Sequence, residues 1–410
     1  MMNSPGSPSA WLTVVGINED GLAGLGDAAR AAIRQARVLF GGGRHLALIP
    51  EQPDQERRAW PSPFERAYEE VLALRGQPVC VLASGDPMFY GVGARLAERL
   101  PIEEMLILPA PSSVALAAAR LGWSLPEVRV IPAHRQPLAG VRLYLAPGAR
   151  LMVFSADGKT PAQLAGLLVD SGYGPSRLIV FEHLGGRSER RLEGTAADWS
   201  IAECAALNLI ALECRAKGPT PFLSRRSALP DTAFVNDGQL TKRPIRALTL
   251  AYLAPGPGEL LWDVGAGCGS IAIEWMRADD GCQAIAIEPV ERRRAFIERN
   301  REALGVPGLQ VIDGSAPEAL AGLPAPDAIF IGGGLTTPGV FESCWSALKN
   351  GGRLVTNAVT LESEARLLDL HARLGGELIR LAIEQAAPLG RFTAWRPAMP
   401  IALLCLHNQP

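Results

Sequence analysis

Residues Leu260 to Ile271 read LLWDVGAGCGSI. An apolar run, Leu260-Leu261-Trp262, leads to Asp263 and Val264, and glycine then stands at alternate positions, Gly265, Gly267 and Gly269. Ile271, Ala272, Ile273 and Trp275 follow at amphipathic helical spacing. The pattern predicts a strand, a tight turn and a helix N-terminus, an arrangement in which a nucleotide-like ligand can lie against bare backbone. Glycine suits such a turn because a Cβ atom would obstruct both positive φ angles and close approach.

The spacing narrows the ligand. A dinucleotide fingerprint, G-x-G-x-x-G, would put its third glycine at position 270, which is Ser270. A turn that merely joins strand to helix and a dinucleotide site both remain readings of the residues alone. The D-x-G-x-G-x-G turn resembles the first motif of the Rossmann-like S-adenosylmethionine (SAM) methyltransferases. A second strand, Ala284 to Ile287, ends at Glu288, which could accept two ribose hydroxyls but would serve a nicotinamide cofactor equally well.

Working outward, 410 residues exceed what one core commonly serves, so two or three domains are expected. Apolar residues at 48% and charged residues at 20% fit a globular cytoplasmic enzyme. The net charge of −2 speaks against whole-surface nucleic-acid binding. Among the cations only Lys159, Lys217, Lys242 and Lys349 are lysines; a GC-rich genome gives the same bias, although the planar guanidinium also suits carboxylate ligands. The seven cysteines form no C-x-x-C pair and read as reduced core thiols, with no metal site expected and no chemistry assigned to Cys268. No apolar run reaches about 18 residues, so no membrane span is expected. Residues 1–10 read as a flexible leader without signal-peptide order.

The first half has its own glycine-rich strand ends. Trp11 to Ile17 is a strand carrying Gly16, and Val38 to Phe40 is another. The polar, Pro-rich stretch Pro50 to Pro63 reads as a surface loop. Strand Pro78 to Ala83 runs into Ser84-Gly85-Asp86-Pro87-Met88-Phe89-Tyr90-Gly91. Strand Met105 to Leu108 leads through Pro109-Ala110-Pro111 to Ser112-Ser113 and an Ala-rich helix. Small polar loops beyond strand carboxyl ends are where α/β proteins hold ligands. Leu151 to Ser155, Arg177 to Glu182 and Leu207 to Glu213 are further strands. The order VVGI, ASGDPMFYG, PAPSSVALAAARLG resembles the tetrapyrrole methylase family. That resemblance implies two α/β subdomains meeting at a cleft, with cofactor contacts at Gly16, Gly85, Asp86, Met88, Ser112 and Ser113.

From Cys214 onward prolines and charges replace periodicity, so domains are expected at 11–214 and 236–410 with a linker over 215–235. The second half alternates strands and helices (helix Pro244 to Ala254, helix Pro289 to Leu304, strands Leu309 to Ile312, Asp327 to Ile331 and Arg353 to Asn357). It closes with Glu377 to Glu384 pairing Met399 to Leu406. The expected fold class is α/β, a tetrapyrrole methylase fold followed by a Rossmann-like class I SAM methyltransferase domain.

The two halves together resemble the fused methyltransferases of aerobic cobalamin biosynthesis. The resemblance implies methylation of a corrin precursor of the precorrin-6B type at C5 and C15, with decarboxylation of the C12 acetate to a precorrin-8 type product. It further implies one SAM site per domain, a small-molecule corrin substrate and self-association into a homo-oligomer. In the second domain it points to Thr241, Gly265, Gly267, Gly269, Glu288 and Ala316 as cofactor contacts, with Asp263 orienting the turn. Because the implied substrate carries many carboxylates, Arg391 and Arg396 in the connection LGRFTAWRP are candidate substrate contacts, as are His134, Glu182 and His183. Methylation of tRNA, or of another small molecule, is the competing reading. The helix from Glu291 to Arg301 alternates arginine with glutamate, which reads as a solvated face rather than a basic stripe.

Overall fold

A computed structural model describes residues 10–218, 222–226 and 228–409. Residues 1–9 of the expected leader, and 219–221 and 227 of the expected linker, lie outside the described residues. The chain divides into two compact units, Met1–Gln136 with Tyr144–Thr220, and Pro137–Leu143 with Pro221–Pro410.

The first unit holds two five-stranded sheets. Strands β1 (Leu12–Ile17), β2 (Val38–Gly41), β3 (Glu56–Ala59), β4 (Val79–Ser84) and β5 (Met105–Leu108) form one, in the order β3-β2-β4-β1-β5. Every pairing in it is parallel, so all five carboxyl ends share one edge. Burial on both faces explains why β1, β2 and β4 read as continuous apolar runs. The second sheet comprises β6 (Val128–Pro132), β7 (Arg150–Phe154), β8 (Arg177–Glu182), β9 (Arg190–Thr195) and β10 (Asn208–Glu213), in the order β6-β7-β10-β8-β9. Only the β6–β7 pairing is parallel.

Two of these strands differ from the sequence reading for one reason. The stretch Pro50 to Pro63 is not all loop, since Glu56–Ala59 (ERRA) pairs with β2. That strand and β9 (RRLEGT) are both charge-rich sheet edges. Edge strands are commonly blunted with charge, which erases the alternating pattern by which a strand is recognised.

The second unit is a seven-stranded sheet. Its strands are β11 (Leu260–Val264), β12 (Gln283–Ile287), β13 (Gln310–Ile312), β14 (Ala328–Ile331), β15 (Arg353–Ala358), β16 (Glu377–Leu381) and, last in the chain, Ile401–His407. Between those last two lies a separate two-stranded hairpin of β17 (Glu384–Leu389) and β18 (Phe392–Pro397), so Ile401–His407 is β19. The order is β13-β12-β11-β14-β15-β19-β16, parallel up to β15 and antiparallel on both sides of β19. The closing antiparallel pair therefore stands as expected, except that Glu384 opens the extra hairpin rather than ending β16. One core lies on each face of the sheet. Trp275, Ile273 and Leu403 belong to one, and Trp262, Ile329 and Leu404 to the other.

Part of the stretch read as linker is structural in this unit. Leu229 and Phe234 are core residues. A buried knot explains why. Glu274, on the helix Ser270–Ala278, accepts from the amides of Ala228 (2.6 Å) and Leu229 (3.1 Å). The fully buried guanidinium of Arg246, on the helix Arg243–Leu253, pairs with Glu274 at 2.5 Å and with Asp231 at 3.0 Å. It also donates to the carbonyls of Leu229 and Thr241. A charge with no exposure persists only when it is paired and its donors are used. Leu143, which precedes most of the unit in sequence, packs partly buried against the same core.

Candidate functional site

In the second unit the glycine turn closes the carboxyl end of β11. Gly265, Gly267 and Gly269 have φ of +70°, +59° and +79°, the left-handed region, so each glycine is required by its backbone. A Cβ on Gly265 would lie 2.9 Å from the amide nitrogen of Gly333, in the Gly332-Gly333-Gly334 loop after β14. A Cβ on Gly267 would face the carbonyl oxygen of Gln239 at 3.3 Å. The loop after β14 and the segment that precedes the helix Arg243–Leu253 thus both press on the turn.

Two buried carboxylates organise that turn. Glu288, just beyond β12, accepts from the amides of Gly267 (2.7 Å) and Val290 (3.0 Å). Asp263, the last-but-one residue of β11, accepts from the amide of Ala272 at 3.0 Å through one oxygen while the other has no protein partner. Burial pushes the Asp263 carboxyl up to about 7, against the pull of the Ala272 amide, with Glu288 adding to the rise. Asn300 braces the turn from the helix Glu291–Ala303 by donating to the carbonyls of Cys268 and Val235, each at 3.0 Å. Cys268 is buried, its thiol pushed up to about 11, which leaves it inert.

In the first unit three loops converge at the carboxyl edge of the parallel sheet. The Gly85 amide donates to Ile17, the Ala110 amide to Gly85, and the Asn18 side chain to Pro111, at 3.1–3.2 Å. Gly16 is needed because a Cβ there would collide with the Gly85 carbonyl oxygen and the Ala110 nitrogen. Ser112 caps the helix Ser113–Leu121 by accepting from Ala115 at 3.1 Å. Asp86 accepts from the Met88 amide at 2.9 Å, fixing its own loop.

These loops border a cavity of about 490 Å³. Its wall includes Gly85, Asp86, Ser112, Ser113 and His134 among the expected residues. Gly16 lies behind the wall, holding the loops together, and the exposed Met88 is not part of it. The far side comes from the second sheet of the same unit, through Phe154, Phe181 and Asn208.

Two candidate substrate residues are placed differently from expectation. Glu182 is buried, paired with Arg190 and accepting from Ala205, so its carboxylate is committed to holding β9 and the 205 loop. The Arg190 hydrogen bond chiefly holds that carboxyl below the usual range, against burial. His183 has φ of +48° and reaches Glu19 at 3.4 Å rather than bordering the cavity. Arg391 and Arg396 stand on the exposed β17–β18 hairpin, where Arg391 sits over the ring of Phe392 at 5.0 Å. Thr241 presents its carbonyl to Arg246, and Ala316 packs partly buried against the core around Trp262.

Residues 12–199 match the family of tetrapyrrole (corrin/porphyrin) methylases, and residues 232–408 match a precorrin methyltransferase domain. A Sinorhizobium protein named precorrin-6Y C(5,15)-methyltransferase [decarboxylating] is 53% identical over 399 residues, covering 97% of each chain. The chain belongs to the precorrin-6Y C5,15-methyltransferase family. A Mycobacterium tuberculosis member of that name is 44% identical over 95% of this chain and 98% of its own. The solved C-terminal domain of the Rhodobacter capsulatus precorrin-6Y C5,15-methyltransferase is 48% identical, with a TM-score of 0.43. It spans 45% of this chain and 100% of its own.

In this member of the precorrin-6Y C5,15-methyltransferase family, sequence reading missed a polar cluster on the cavity wall. Arg44 pairs with Glu19 and lies 3.1 Å from the Ser84 hydroxyl and 2.8 Å from His45 Nε2. Burial, with help from Arg44, lowers His45 to about 4, so its ring is neutral near pH 7. Because Arg44 can only donate, His45 Nε2 accepts and the proton resides on Nδ1. Arg135, also on the wall, was passed over beside His134. The one available signal was a run of three small residues, Gly41-Gly42-Gly43, immediately before Arg44. Of the five arginines of Glu291–Ala303, Arg293 pairs with Asp237, Arg294 with Asp313 and Arg301 with Glu298. Such pairing reduces the positive charge this helix could offer a nucleic acid. No helix among the described residues is long and apolar enough to cross a membrane.

Proposed function

We propose that the chain methylates a precorrin-6Y substrate at C5 and C15 and removes carbon dioxide from its C12 acetate, with one SAM site in each unit. The observation that carries this reading is the presence, in one family member, of two unlike ligand-ready strand edges. One is the cavity beyond β1, β4 and β5; the other is the Gly267–Glu288 turn. The residues fit the cofactor, because the left-handed glycines leave backbone bare and Glu288 keeps lone pairs free beyond its two amide bonds. Gly85, Asp86, Ser112 and Ser113 would hold it in the first unit; Gly265, Gly267, Gly269 and Glu288, with Asp263 behind the turn and Thr241 and Ala316 flanking, would hold it in the second.

SAM, when bound, supplies an electrophilic methyl group. A meso carbon of an electron-rich macrocycle is already nucleophilic, so the protein's task is to position and to exclude water. Alignment of this kind contributes about 7–11 kcal/mol at best. The aromatic wall of the first cavity, Phe89, Tyr90 and Phe154, offers flat apolar surface for such a ring while keeping solvent away. For the decarboxylation, the C–C bond to the carboxylate breaks and its electron pair enters the conjugated ring, where a proton is then added. Asp263, held near neutrality but buried behind the turn, is too enclosed to deliver that proton itself.

Self-association is part of the proposal. The β17–β18 hairpin exposes Leu389, Phe392 and Trp395, each at least 64% accessible, a large apolar display for a free surface. We place the reactions in the cytoplasm.

Calorimetry with S-adenosylhomocysteine tests the two-site reading directly, and two equivalents per chain are expected. Mass spectrometry of the corrin product should show gain of two methyl groups and loss of carbon dioxide. Uptake of a single equivalent, or preference for a nicotinamide dinucleotide, would overturn it.

A further inference from the structure

The cavity of the first unit carries two guanidinium groups of opposite status. Arg44 is already neutralised, since Glu19 pairs with it and Ser84 and His45 occupy its remaining edge. Arg135 is not. It donates to the main-chain carbonyl of Tyr90 and lies 5.9 Å from the centre of that ring. Among the described residues no carboxylate pairs with it. Of the acids on the wall, Glu19 is taken by Arg44, and Asp86 is bound to the Met88 amide. A guanidinium has five donors in a fixed fork, so most of those on Arg135 remain available.

Its surroundings define what those donors would meet. Phe89 and Tyr90 pack edge to face at 4.9 Å, Tyr90 and Phe154 at 6.0 Å, and His134 and Phe154 at 5.6 Å. Phe89 and Tyr90 remain more than a third exposed, although aromatic rings are ordinarily covered. Tyr90 also has φ of +56°, uncommon outside glycine, and the Arg135 hydrogen bond to its carbonyl braces that conformation. The result is an apolar aromatic shelf with one uncompensated cation at its edge. A flat apolar ring system bearing carboxylates on its rim complements that pattern, whereas a neutral flat ligand would leave the cation unanswered.

We propose that Arg135 is a specificity-determining substrate residue of the first unit, binding a peripheral acetate or propionate carboxylate of the macrocycle while the Phe89–Tyr90–Phe154 shelf takes the ring. This rests on the reading of the first unit as the C5 methylation site. The interaction is a bidentate charge-assisted hydrogen bond, present in the bound substrate throughout the reaction. It therefore acts on substrate affinity more than on turnover.

The test uses the full chain and purified corrin substrate, with C5 methylation followed separately from C15 methylation and decarboxylation. Arg135→Ala should raise KM for C5 methylation about ten- to hundredfold, the range for a lost hydrogen bond to a charged group, with kcat changed far less. S-adenosylhomocysteine should still bind at two equivalents with unchanged affinity, which shows that the unit remains folded. Arg135→Lys should recover part of the loss, keeping charge without the fork. Substrate with its peripheral carboxylates esterified should bind the wild type as poorly as Arg135→Ala binds the free acid, and the variant should no longer distinguish the two. An unchanged KM, an equal loss for ester and acid, or a parallel loss of S-adenosylhomocysteine affinity would overturn the assignment. The last of these would instead mark a role through Tyr90. Absence of any methyl transfer by the wild type would overturn the underlying reading of the site, and is distinguishable because it precedes every comparison of variants.

Discussion

Glu288 Oε2 accepts the Gly267 amide hydrogen at 2.7 Å, so the acid at the end of β12 is bonded to the middle of the glycine turn at the end of β11. The same carboxylate takes the Val290 amide. One side chain therefore sets the separation of two strand ends while keeping lone pairs open to a ligand.

Replacing it should be felt at one site only. Glu288→Ala leaves both amides without their acceptor and is expected to weaken S-adenosylhomocysteine binding in the second unit by about 1.5–3 kcal/mol, roughly ten- to hundredfold. Titration calorimetry should resolve one unaltered equivalent and one weakened one. Two unaltered equivalents would show that Glu288 does not touch the ligand.

Gly16→Ala makes the complementary prediction. The added methyl would collide with main-chain atoms of Gly85 and Ala110, which cannot swing away as a side chain can. C5 methylation should fall by at least about a hundredfold, since misplacement by ~1 Å can cost that much. C15 methylation in the same preparation should persist, and loss of both would point to general misfolding.

Arg246 and Glu274 should behave as a unit. Arg246→Met leaves the buried Glu274 carboxylate without its counter-charge and is expected to cost about 3–5 kcal/mol in the second unit, whereas Glu274→Leu leaves Arg246 its Asp231 partner and should cost less. The double replacement should be much milder than the sum, because it removes both charges, although the amides of Ala228 and Leu229 still lose their acceptor. Denaturant unfolding of all three variants decides this; strict additivity would contradict it.

Two buried titrations, those of His45 and Asp263, work in opposite directions with pH. His45 is lowered from 6.5 to about 4, so the stability it contributes is present above about 6.5 and is lost as pH falls through about 4. Asp263 is raised from 3.8 to about 7, so its contribution is present below about 3.8 and is lost as pH rises through about 7. Relative to wild type, His45→Gln should gain in melting temperature as pH falls from about 6.5 to 4. Asp263→Asn should gain as pH rises from about 4 to 7. Calorimetric scans across that range would reveal a wrong sign immediately.

Much of the second unit was legible because its central strands are buried on both faces and its turn demands glycine. Leu260 to Val264 and Ala328 to Ile331 could be placed from apolar runs alone, and the left-handed φ at positions 265, 267 and 269 is the physical content of the glycine spacing. The edge strands Glu56–Ala59 and Arg190–Thr195 were illegible, since solvent on both faces removes any pattern. The polar cavity wall was harder still. Nothing local distinguishes Arg135 from other exposed arginines; its meaning comes from Tyr90 and Phe154, brought beside it by separate sheets. Glu182 misled for the converse reason, as an acid at a strand end whose partner, Arg190, lies on the adjacent strand.

The Glu274 knot and the position of Leu143 bear on any attempt to bisect the polypeptide and express its halves separately. A cut at 236 would discard the amides that Glu274 binds, together with Leu229, Phe234 and the Asp231 partner of Arg246. A cut before 222 would retain them, but Leu143 would still travel with the other fragment. The C-terminal fragment should consequently be soluble only from the longer design, and even then should melt below the intact chain.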